Sequence, residues 1–94
     1  RRRFNEGKYW ERMKAGEFLP VLIRRGTPQR DVLEKWPEAR SEYWSWRDGD
    51  GFEVARVHQY ALPNGTIVAS GRPDPKRLFE DGVVYHLEKR QQSL

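Results

Sequence analysis

A chain of 94 residues, 36% apolar and 34% charged, has room for one small domain with a single core. It contains no cysteine, which excludes disulfides, thiolate metal sites and cysteine nucleophiles, and no apolar run near the ~20 residues that span a bilayer. The net charge of +4 divides into +6 over residues 1–30, −4 over 31–53 and +2 over 54–94, so the chain lacks the one-sided field of many DNA-binding domains.

The charge content exceeds the roughly 25% of an average domain and points to loose ends. Four Trp, four Tyr and four Phe point to a folded centre, because each ring buries a large area. The expectation is one domain over 1–94, with a flexible basic arm at 1–4, a helical half at 5–47, a β half at 52–90 and a frayed tail at 91–94. Arg1-Arg2-Arg3-Phe4 has no following apolar stretch of the kind that marks a secretory signal. A cytoplasmic setting, bacterial or phage, is expected.

Asn5 is a suitable N-cap, and Phe4, Tyr9, Trp10 and Met13 lie at roughly helical spacing. This predicts a helix near 6–15 that Gly16 ends. Phe18–Ile23 is a short apolar run that reads as a helix with Pro20 in its first turn, or as a strand. Thr27-Pro28 signals a helix start, and Val32, Leu33 and Trp36 form an apolar stripe that continues past Pro37 through Arg40, Tyr43 and Trp44. The stripe predicts one kinked helix or two helices meeting at Pro37, ending before Asp48-Gly49-Asp50-Gly51.

The second half changes period. Residues 52–60 and 66–70 read as a hairpin with Asn64-Gly65 at its tip. In that register Leu62 faces Ile67 and Tyr60 faces Ala69. Gly71-Arg72-Pro73-Asp74-Pro75 reads as a loop, and residues 82–87 as a third strand. The fold class expected is therefore α+β, with N-terminal helices packed on a three-stranded antiparallel β-sheet.

Residues 21–46 resemble a helix-turn-helix. Val21–Gly26 corresponds to a supporting helix, Pro28–Trp36 to the second helix, Pro37-Glu38 to the turn and Ala39–Arg47 to the recognition helix. The resemblance implies DNA binding, with Arg40 and Ser41 facing bases and Gln29 and Arg30 touching phosphate. A winged variant would use the hairpin, with Arg72, Lys76 and Arg77 behind it. The chain departs from the pattern at Pro37, where Gly is usual, and at Leu33 and Glu38. The stretch from His58 to Lys76 is also similar to segments of uncharacterised small bacterial or phage proteins, which implies a family but no activity.

The first functional expectation is a small basic nucleic-acid-binding module without catalysis, using Arg24, Arg25, Arg30, Arg40, Ser41, Arg72, Lys76 and Arg77. The Arg1–Arg3 arm is a further minor-groove candidate. The second is a protein-interaction or assembly module, of phage or toxin–antitoxin type, binding a protein partner or a second copy through Trp44 and Trp46. On a helix these two rings would point about 200° apart, so either the sheet covers one or one lies exposed. The third is a ribonuclease-like toxin in which His58 and His86 approach each other as general acid and base. No cofactor, metal or membrane association is expected.

Overall fold

A computed structural model describes residues 2–87 of the chain. Arg1, the end of the expected β half at 88–90 and the expected tail at 91–94 lie outside the described residues. Helices α1 (Arg2–Glu6) and α2 (Tyr9–Lys14) are followed by strand β1 (Leu19–Gly26), helix α3 (Arg30–Lys35), then strands β2 (Arg40–Arg47), β3 (Glu53–Ala61), β4 (Ile67–Val68), β5 (Asp74–Glu80) and β6 (Val83–His86). The strands form one antiparallel sheet in the order β1-β2-β3-β5-β6, with the two-residue β4 paired to β3 beside β5. Among the described residues the fold is sheet-dominated, with six strands and three short helices, and this overturns the expectation of helices on a three-stranded sheet.

The largest correction is at residues 39–47. The expected recognition helix is strand β2, central in the sheet between β1 and β3. Pro37 stops the preceding helix, and the aromatic residues Tyr43, Trp44 and Trp46 suit a pleated surface. Alternation along β2 sends Glu42, Trp44 and Trp46 to one face and Ser41, Tyr43, Ser45 and Arg47 to the other. Trp44 and Trp46 therefore point the same way, opposite to the helical expectation.

Phe18–Ile23 resolves as the strand alternative. Pro20 is tolerated because β1 is an edge strand, with no neighbour requiring its missing N–H. The helix expected from Thr27-Pro28 begins only after Gln29 and ends at Lys35. The helix expected at 6–15 breaks at Gly7-Lys8, where Lys8 takes a left-handed backbone with φ 53°. Residues 2–4 of the expected flexible arm belong to α1 because Phe4 is buried.

Asp74 and Pro75, expected as the end of a loop, begin strand β5, which separates β3 from β6. Asp81 and Gly82 both have positive φ, 52° and 76°, the pattern of the tight turn that joins twisted strands. Asn64-Gly65 does form a turn, but the register slips by one: Ala61 pairs with Ile67 and Tyr60 with Val68.

Phe4, Tyr9, Met13 and Phe18 pack on Ala55, Val57, Leu78 and Leu87, with Trp44, Trp46 and Tyr85 at the margin. Burying each large side chain contributes about 1.5–3 kcal/mol. Tyr9 ties the helical layer to β5 by donating a 2.7 Å hydrogen bond to Glu80. Beneath Trp44, the buried Glu42 carboxylate accepts bonds from Trp44 Nε1 and Gln59 Nε2, each 3.0 Å, and from Arg25 at 3.4 Å. A smaller cluster of Val32, Ala39 and Val68, with Trp36, Tyr60 and Leu62 beside it, seats α3 at one end of the opposite sheet face.

Candidate functional site

Strand alternation leaves one sheet face under α1 and α2 and the other open except where α3 sits. The open face carries the polar and aromatic side chains of three adjacent strands. From β2 come Ser41 and Tyr43, with Ser45 on the same side but fully buried. Tyr43 lies across from His58 of β3, which lies across from Asp74 of β5. The His58 ring is 4.7 Å from the Tyr43 ring on one side and 4.7 Å from the Tyr60 ring on the other. Ser41 Oγ and His58 Nε2 share a 2.7 Å hydrogen bond. The three rings form a contiguous aromatic patch at the centre of a sheet.

Cations surround this patch. The Arg24 guanidinium stacks 4.4 Å from the centre of the Tyr43 ring. Arg56 lies across from Arg77, and Lys76 pairs with Asp74 at 3.0 Å. Burial holds the His58 imidazole below its ordinary proton affinity, and Lys76 and Arg24 push the same way against the opposing charge of Asp74. His58 is therefore a neutral ring near pH 7. Glu53 is pushed up by burial, but bonds from Arg56 and Ser45 outweigh that and hold it ionised at lower pH than usual.

A cleft of about 1100 Å³ opens beside the rings. Ser41, Tyr43, His58 and Tyr60 contribute from the sheet, Thr27–Gln29 from the β1–α3 connection, Ala69, Ser70, Arg72 and Pro73 from the β4–β5 connection, and Phe4, Asn5, Trp10 and Glu11 from the helical layer. The gap exists because β3 changes partner along one edge, from β5 at 55–58 to β4 at 60–61. Ala69, with φ 70°, turns the connecting chain away from the sheet, and Ser70 Oγ closes the loop by donating to the Arg72 carbonyl at 2.8 Å.

The structure gathers some of the sequence candidates and scatters others. Arg24, Ser41, Lys76 and Arg77 lie on the open face, and Arg72 lines the cleft. Arg25 and Arg40 fall on the opposite face by alternation, with Arg25 paired to Glu42. Arg30 begins α3 and does not line the cleft, although Gln29 does. Trp44 and Trp46 pack at the margin of the main core rather than projecting as a free surface. His58 and His86 do not approach each other, because β5 runs between their strands; Ser41 is the partner of His58 instead.

Tyr43 as a surface ring was missed by the sequence. The signal was there in the alternation of Ser41, Tyr43, Ser45 and Arg47 with Glu42, Trp44 and Trp46, which is a period of two. Among the described residues no cluster of side chains is arranged to hold a metal ion, and no helix is long and apolar enough to cross a membrane. No protein-family model, curated protein or solved structure matches the chain.

Proposed function

We propose that this protein binds single-stranded nucleic acid on the open face of its sheet, without catalysis. The observation that carries this is the Tyr43–His58–Tyr60 ring patch at the centre of a sheet face edged by Arg24, Arg56, Lys76 and Arg77. Every base has a π-face, so rings on a rigid sheet take unpaired bases regardless of sequence, while cations along the rim follow the backbone. Duplex DNA offers no exposed base faces to such a surface, and strand β2 supplies no helix for a major groove. A neutral His58 suits the role, because it stacks without the desolvation cost of a buried charge. A cytoplasmic location, where single strands are met, accords with this reading.

The test is fluorescence anisotropy with a labelled single-stranded RNA, the matching single-stranded DNA and the matching duplex, each titrated with salt. Single strands should bind more tightly than the duplex. Affinity should fall on a log–log salt slope set by the number of phosphates contacted. Tyr43→Ala should weaken single-strand binding by about 1–3 kcal/mol for each base it stacks. Absence of single-strand binding at low salt, or equal affinity for duplex and for Tyr43→Ala, would remove the proposal.

A further inference from the structure

Next to the ring patch lies a second, smaller cavity of about 390 Å³, lined by Ile23, Arg24, Tyr43, Arg56, Lys76 and Arg77. Three strands contribute its cations: β1 through Arg24, β3 through Arg56 and β5 through Lys76 and Arg77. Their commitments differ. Arg56 is held by Glu53 through bonds of 2.9 and 3.0 Å. Lys76 is paired with Asp74, and Arg24 is spread on the Tyr43 ring. The Arg77 side chain has no hydrogen bond or ion pair among the described residues. Four cations against two carboxylates leave an excess of two positive charges around one small cavity.

An excess of that size matches a dianion. A phosphodiester inside a strand carries one negative charge, whereas a phosphate monoester at its end carries about 1.5–2 near neutral pH. Arginine forks are suited to phosphate oxygens, and Arg77 is free to offer one. Ile23, half exposed on the edge strand, gives the cavity an apolar side wall that offers no contact to a continuing charged backbone. Tyr43 and Lys76 line both this cavity and the larger cleft, so a group held here adjoins a base stacked on the rings. We propose that this cavity binds the terminal phosphate monoester of a single strand whose bases stack on Tyr43, His58 and Tyr60. The proposal rests on the open-face reading above and adds a preference for phosphorylated ends.

The experiment compares internally labelled oligonucleotides of one sequence that end in a 5′-phosphate, a 3′-phosphate or hydroxyls at both ends. One phosphorylated form should bind about tenfold more tightly than the hydroxyl form, the order expected of a charge-assisted bidentate contact. Arg77→Ala should abolish that preference, weakening the phosphorylated form more than the hydroxyl form. A preference that survives Arg77→Ala, or equal binding of all three forms, overturns the phosphate site. In the latter case strand binding on the open face still stands. A second arm titrates inorganic phosphate alone while the arginine side-chain N–H resonances are followed. Shifts at Arg24 and Arg77 support the cavity even if no strand binds, which would sink the open-face reading alone. Unmoved resonances at millimolar phosphate count against the cavity.

Discussion

The two faces of this sheet are built from the same strands and do opposite work. Toward α1 and α2 the side chains are Trp44, Trp46, Ala55, Val57 and Leu78, and the helical layer covers them with Phe4, Tyr9, Met13 and Phe18. On the other side, Ser41, Tyr43, Arg56, His58 and Arg77 stay at the surface, linked by hydrogen bonds, ring contacts and ion pairs. A strand reverses its side chains at every residue, so one eight-residue segment such as β2 supplies both a core and a candidate interface. Mutations one position apart should therefore have different consequences.

That contrast is broken most strongly from the covered side. Leu78 is fully buried at the centre of the core, and Leu78→Ala should cost about 2–5 kcal/mol of stability, read as a lowered urea midpoint. The folded fraction should still bind single strands normally. Glu42→Ala is next: it removes the buried acceptor of the part-buried Trp44 and Gln59 donors, and should cost about 1–3 kcal/mol in the same assay. Tyr43→Ala, one residue along, should reverse the balance, with a loss of binding that exceeds its loss of stability.

His58 gives a smaller, pH-dependent effect. Its folded affinity for a proton lies below the ordinary value near 6.5, so the unfolded chain takes up the proton first as pH falls. The contribution of neutral His58 is fully present above about pH 6.5 and is lost as pH drops from there through the lower folded value. Wild-type stability should fall more steeply than that of His58→Gln across this window; parallel curves from denaturant unfolding would contradict it. The smallest effect is expected from Arg25→Ala. Arg25 is on the covered side of an edge strand, and its pair with Glu42 is largely exposed at the arginine. Stability should change by about 0–1 kcal/mol and single-strand binding hardly at all, in contrast with Arg24→Ala.

The first half of the chain hid its strands for a physical reason. Val32, Leu33, Trp36, Arg40, Tyr43 and Trp44 run at spacings of three and four, which looks like one helical stripe. The same residues from 41 to 47 also alternate with a period of two, and only the presence of β1 and β3 on either side decides between the two periods. Such non-local pairing is invisible to local propensity. Strand β5 was hidden by Pro73 and Pro75, which read as loop; Pro75 is accommodated beside a bulge, where Arg56 and Val57 of β3 pair with Arg77 and Pro75. The Asp81-Gly82 turn was a readable hairpin signal that would have recovered both β5 and β6. By contrast, Gly16, with φ 82°, ends α2 as its position suggested, and the Asn64-Gly65 turn was found but with its register one residue out. For the site, the cations Arg24, Lys76 and Arg77 could be named from sequence, but their convergence with Tyr43 depends on the order of the strands.

The most direct test of the central claim is to add a saturating single-stranded oligonucleotide to isotope-labelled protein and map the backbone resonances that shift. The account predicts the largest changes at Arg24, Ser41, Tyr43, Arg56, His58 and Tyr60, with the α1 and α2 layer little affected. Changes centred on α1 and α2 or on Arg30 and Arg40, or no changes at all, would contradict it.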